Sequence, residues 1–277
     1  MKFQIFQISL CVDSTKPSKT FNQSNVEIRP IKRNVEKMKR KKSSEDKVRK
    51  KAKRDFVFLK GKHRKETRHA VDLLCSGDRK KFESVDIVKA IGNRAKKRSH
   101  AKNVSEMRKL ENWWRDEYAS VVRAKGYVSK DELVKIMEWK ISHSKWRPLL
   151  NGLKSKNDPA SVKKHSTSAM AYMNKLLSIS DSIKQRDFLK KALDELCKLK
   201  YVGPVTATAI LGPVFPEYVP YAADEVLESL GFDRNVRTTK NLMKFIDVAQ
   251  SVSRDTFNCT PFKLSDVLWT VAWAGGC

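Results

Sequence analysis

Beyond residue 105, apolar residues recur at three- and four-residue intervals, which predicts helices joined by short turns rather than strands. The first opens at Ser105, a residue suited to an N-cap, and carries Leu110, Trp113, Trp114, Tyr118, Val121 and Val122 until Gly126 stops it. Ser129 and Glu132 have capping-box spacing and open a second helix with Leu133, Ile136, Met137 and Ile141 on one face. His143 to Pro148 breaks the pattern, because the residue before a proline is pushed away from helical geometry. A third helix follows Asp158-Pro159 and buries Ala169, Tyr172, Met173, Leu176 and Leu177. A fourth runs from Ser182 and buries Phe188, Leu189, Ala192, Leu193, Leu196 and Leu199. Helices over Thr239–Ser251 and Ser265–Ala274 complete the set, and no run of alternating strands appears. The expected fold class is all-α.

Charge divides the chain differently from hydropathy. Of a formal net charge of +27, residues 1–110 hold 33 Lys/Arg against 12 Asp/Glu, a net of +21, whereas residues 111–277 hold 25 against 19, a net of +6. We therefore expect a basic, largely disordered arm over residues 1–105 and a globular domain over residues 106–277. Residues 37–54 form two basic clusters around a Ser-Ser-Glu-Asp spacer. Lys39, Arg40, Lys41 and Lys42 lie in the first, and Arg49, Lys50, Lys51, Lys53 and Arg54 in the second. This spacing suits a bipartite nuclear localisation signal, a nucleic-acid-attracting tail, or a solvated charge run that nothing reads. A second basic run spans Arg94–Lys102, and the segments Val71–Cys75 and Phe82–Ile91 between the two runs have enough apolar residues for short helices. Such an excess of positive charge is drawn to polyanions: nucleic acid first, an anionic membrane surface second, with nucleolar or ribosomal RNA also open.

Five scattered cysteines show neither C-x-x-C nor zinc-like spacing with histidine, so no metal or iron–sulfur cluster is expected. No stretch approaches the roughly 20 apolar residues of a membrane span, so no membrane partner is expected. Gln4 and Gln7 interrupt the apolar run at the N-terminus, which argues against a signal peptide.

The least ordinary stretch is Leu199–Gly231, LKYVGPVTATAILGPVFPEYVPYAADEVLESLG. Gly203 is expected to supply a backbone conformation other residues avoid, and Pro204 suits the first position of a new helix. The small residues of VTATA allow close helix crossing. A turn of this kind either makes a buried αα-hairpin or points free N–H groups at a phosphate. Asp224, just before EVLESL, is either an N-cap or a functional carboxylate. Tyr218, Tyr221, Trp139 and Trp146 offer either stacking surfaces or core packing, and Lys145, Trp146 and Arg147 lie on an inter-helix loop within reach of a nucleic-acid backbone.

Leu199-x-x-Val202-Gly203-x-x-Thr206-Ala207, followed by Asp224, resembles the helix–hairpin–helix and aspartate of the endonuclease III-like DNA glycosylases, whose pattern is L-P-G-V-G-x-K-T-A and then V-D. More narrowly, VGPVTATAIL, VPYAADEVLESLG, GYVSKDELVKIMEWK and KWRP are similar to the animal Amun-like proteins, nuclear proteins with a glycosylase-like domain; this likeness spans roughly Lys109 to Trp273. The resemblance implies a nuclear, base-excision-type protein in which Tyr201, Val202, Gly203, Pro204, Val205 and Thr206 hold a DNA phosphate, with an alkali cation on the hairpin carbonyls. It implies that Asp224 assists cleavage of the N-glycosidic bond of a flipped base, with Tyr221 a base or backbone contact. Tyr201 replaces the first hairpin glycine, Lys200 the proline, and Val205 the lysine used by members that are also lyases. Lyase chemistry is therefore not expected. A catalytically inactive DNA- or chromatin-binding module, or an RNA-binding protein with protein partners, are the alternatives.

Overall fold

The computed structural model describes residues 65–96, 104–143 and 148–275, and these form helices and the turns between them, with no strand among the described residues. The all-α expectation holds for this part of the chain. The localisation-like residues between Lys39 and Arg54, and the loop residues Lys145, Trp146 and Arg147, lie outside the described residues.

Helices α1 (Lys65–Ser76), α2 (Arg79–Glu83) and α3 (Ile87–Lys96) precede residue 106 yet belong to the packed unit. Ala70, Leu73, Leu74, Phe82, Ala90 and Ile91 are buried, and α1 and α3 pack on the last helix, α13 (Pro261–Ala274). The expected arm boundary at residue 105 therefore falls inside the globular fold. Charge hid this in the sequence, because the short apolar faces of these helices alternate with cations such as Arg68, Arg79, Lys80 and Lys89, all of them exposed. Arg94, counted above in a basic run, is itself 8% exposed and lies over the Trp273 ring, 4.2 Å from its centroid.

Next come α4 (Val104–Asn112), a π-turn (Trp113–Glu117), α5 (Tyr118–Lys125), α6 (Lys130–His143), α7 (Leu150–Lys156), α8 (Pro159–Leu177) and α9 (Ser182–Leu196). The chain then forms α10 (Pro204–Leu211), α11 (Asp224–Ser229), α12 (Thr239–Val252), a second π-turn (Ser253–Phe257) and α13. Local chemistry accounts for most of the ends. Gly126 adopts φ 72° and donates its N–H to the Val122 carbonyl. The Ser129–Glu132 box is reciprocal, with bonds of 2.8 and 3.2 Å. Asp158 and Thr260 cap α8 and α13, each followed by a proline at the first helical position. Ser105 is not a cap, since it lies within α4, whereas α9 starts at Ser182 as expected, capped by Asp181.

The apolar helix α13 runs through the core, packed by α1, α3, α11 and α12. Leu264, Val267 and Leu268 have no exposure, each such burial stabilising by about 1.5–3 kcal/mol. A second focus is α6, which touches α4, α7, α8 and α10. Two expected core residues are not core: Val121 is 43% and Leu177 53% exposed, because the apolar stripe of each helix is wider than the surface it meets. Trp139 stacks on Trp114 with centroids 3.6 Å apart and is 1% exposed, so it is core and offers no surface to a base.

Between these foci lies a buried charged cluster. Glu111 accepts a 2.8 Å hydrogen bond from Trp139 Nε1 and pairs with Arg115, which also pairs with Asp266. His143 Nε2 lies 2.5 Å from a Glu111 carboxylate oxygen. Burial pushes the Glu111 carboxyl up, but His143, Arg115 and Trp139 outweigh it and hold the pKa at about 2.

Candidate nucleic-acid interface

The turn between α9 and α10 tightens as α9 ends: Lys198, Leu199 and Val202 each donate to the carbonyl three residues back. The residue with the unusual backbone is Tyr201, at φ 64°, and not Gly203, which is extended at φ −96°, ψ 177°. The expectation for Gly203 is thus corrected. Residue 203 precedes a proline, which favours extended geometry, so the chain reverses two residues earlier. A tyrosine therefore holds the left-handed conformation that a glycine would adopt without strain.

Two contacts from outside the turn hold it there. Asn157, 4% exposed, uses its side-chain amide as a clamp: Nδ2 donates to the Lys200 carbonyl at 2.9 Å and Oδ1 accepts from the Lys200 N–H at 2.9 Å. The Tyr201 ring lies flush on Gly152 of α7, where a Cβ would come within 2.4 Å of Cζ. The residue at position 152 is consequently a glycine by close approach rather than by backbone angle.

Pro204 opens α10, and Gly203 at the N-cap has no side chain to satisfy the following N–H groups. Thr206 to Leu211 are buried. Thr208 Oγ1 donates to the Val205 carbonyl and accepts the Ala222 N–H at 3.1 Å, while Ser265 Oγ accepts the Tyr221 N–H at 2.9 Å. These two hydroxyls dock residues 221 and 222 and deliver Asp224 to the start of α11. Ala223 occupies the N-cap, and α11 has no side-chain cap. The Asp224 carboxylate is partly exposed, with no hydrogen bond or ion pair to the described residues.

Hairpin and carboxylate line one cleft of about 370 Å³, formed by Tyr201, Gly203, Pro204, Val205, Thr206, Tyr221 and Asp224 together with Lys140, Ile141, Leu149 and residues 234–237. Val202 is 4% exposed and supports the turn from beneath. Tyr221 is 5% exposed, and its hydroxyl has no hydrogen-bond partner among the described residues. Burial first, then the Asp224 and Glu225 carboxylates, push that phenol well above its ordinary pKa, so it stays neutral and able to donate.

A larger groove of about 790 Å³ lies elsewhere, beside Ile183, Tyr218 and Arg254, and is crossed by the Arg186–Asp247 pair. It contains neither the hairpin nor Asp224. Tyr218 lies there, away from the candidate site. Among the described residues there is no group of three or more His, Cys, Asp or Glu able to hold a metal. The Leu199, Lys200 and Gly203 carbonyls already accept internal hydrogen bonds, which a cation on the hairpin would have to share.

Asn157, Gly152, Thr208, Ser265 and the loop arginines Arg234 and Arg237 are the site residues that sequence reasoning missed. The contacts of the first four span 14 to 49 positions and leave no local pattern. A basic pair in a short loop was visible, but nothing in the sequence placed it at the cleft. Comparison of the chain with protein-family models, curated proteins and solved structures finds no match.

Proposed function

We propose that this chain is a nuclear DNA-binding protein of the helix–hairpin–helix glycosylase type, hydrolysing the N-glycosidic bond of a flipped nucleotide without a lyase step. One observation carries the reading: an uncapped helix N-terminus and an unpartnered carboxylate line the same cleft. The N–H groups of α10 suit a backbone phosphate, for hydrogen-bonding and dipole reasons alike. Asp224 would then face the sugar, stabilising positive charge as the C1′–N bond breaks and taking a proton from the water that bonds to C1′, while the base leaves with the bond electrons and is protonated. Val205 cannot form a Schiff base, which limits the chemistry to hydrolysis. The basic N-terminal residues add sequence-independent attraction for DNA.

The test is a panel of duplexes carrying single damaged or mismatched bases, assayed for abasic sites with wild type and Asp224→Asn. Product from wild type and loss of at least 100-fold in the variant is expected, the scale of a missing general base. Equal product from both removes Asp224 from the mechanism. Salt-sensitive duplex binding with no product on any substrate identifies a binding module instead, and preference for structured RNA redirects the reading to RNA.

A further inference from the structure

Residues 234–237, in the loop between α11 and α12, also line the cleft. Gly231, at φ 81°, ends α11, and Phe232 folds back to donate its N–H to the Leu227 carbonyl at 2.8 Å. The Phe232 ring packs edge-on against Phe245 of α12, and the half-buried Val236 gives the loop a second apolar anchor. Asp233 accepts the Asn235 N–H at 2.8 Å, and Thr238 caps α12. The loop is therefore pinned at both ends and in the middle. Arg234 and Arg237 between these anchors are exposed and line the cleft. Arg234 has a loose 3.7 Å contact with Glu228, and Arg237 has no hydrogen bond or ion pair to the described residues.

Two guanidinium groups line the same cleft as Asp224 and add positive charge where a polyanion has to approach a carboxylate. Neither arginine is buried or tied into the packed core, so both are available to an approaching anion. The cleft volume of about 370 Å³ lies at the small end of the roughly 300–1,000 Å³ usual for ligand pockets, which suits one nucleotide rather than a stacked run. A strand that sets one nucleotide in the cleft brings the phosphates on its two sides to the groups that line it.

We propose that Arg234 and Arg237 form a second phosphate-binding edge. The strand held at the α10 N-terminus continues across the cleft to these arginines, which grip the phosphate on the far side of the nucleotide facing Asp224. This rests on the DNA-binding reading above. Arginine suits the task because its planar fork holds a phosphate through two parallel hydrogen bonds.

The experiment uses the full chain and a fluorescently labelled duplex, with affinity measured by anisotropy over a series of salt concentrations. Arg234→Ala/Arg237→Ala is expected to bind more weakly, with a slope of log K against log salt shallower by about 0.9, the loss of one phosphate contact. Arg234→Lys/Arg237→Lys should keep the wild-type slope, and thermal unfolding should be unchanged in both. Duplex should also slow phenylglyoxal modification of Arg237 in wild type. Salt-dependent wild-type binding with an unaltered slope in the alanine variant and no protection of Arg237 overturns the second edge and leaves DNA binding standing. Absence of salt-dependent duplex binding by wild type overturns both.

Discussion

Glu111→Gln provides the most direct test of how the site is supported. Glu111 is 2% exposed and ties α4 to α6 through His143 and Trp139, and to α13 through Arg115 and Asp266. Its carboxyl is held at about 2 against an ordinary 4.5. That difference of about 2.5 pKa units, at 1.36 kcal/mol each, corresponds to about 3 kcal/mol. Because the folded pKa is depressed, this stabilisation is fully present above pH 4.5 and disappears as pH falls through about 2. Glutamine can still accept from Trp139 but leaves His143 and Arg115 facing a neutral group, and breaking a buried pair on one side costs about 3–5 kcal/mol. At roughly 2–4 °C per kcal/mol for a domain of this size, the melting temperature at pH 7 should fall by about 6–20 °C. Thermal unfolding followed by circular dichroism at pH 7, 5, 4 and 3 measures this, and the gap between wild type and variant should narrow toward the acid end. A variant within 2 °C of wild type at pH 7, or a gap independent of pH, refutes the reasoning.

The hairpin supports further expectations. Gly203→Ala should raise stability by about 0.4–1 kcal/mol, since the backbone there is extended and an added Cβ meets nothing within 4 Å, yet duplex affinity should drop because the methyl group stands at the α10 N-terminus. Denaturant unfolding and a binding titration separate the two effects. Gly152→Ala should cost about 1–3 kcal/mol by driving the Tyr201 ring off α7, and adding Tyr201→Gly should restore most of it, read as a coupling above about 0.5 kcal/mol in a double-mutant cycle. Asn157→Ala removes both bonds to Lys200 and should cost about 1–3 kcal/mol, with faster hydrogen exchange at the Lys200 amide.

Helices whose stop and start signals are local were legible in the sequence. The Ser129–Glu132 box, the Gly126 stop, the Asp158-Pro159 start and the Pro204 start of α10 all involve residues within a turn of one another, where capping geometry acts without help from the fold. The all-α character follows from the same short-range periodicity. Tertiary structure decided the rest. It drew 65–96 into the core because burial depends on which surface an apolar face meets, and a cation-rich sequence conceals that face. It moved the left-handed residue from Gly203 to Tyr201, because a clamp from Asn157 and a bare α-carbon at Gly152 hold the ring where local preference would not. It also set Arg234 and Arg237 on the same cleft as the hairpin, some thirty positions away, by pinning a short loop on Phe245 and the start of α12. Local chemistry shapes each element, but which groups come to share a cleft is settled only when the elements pack.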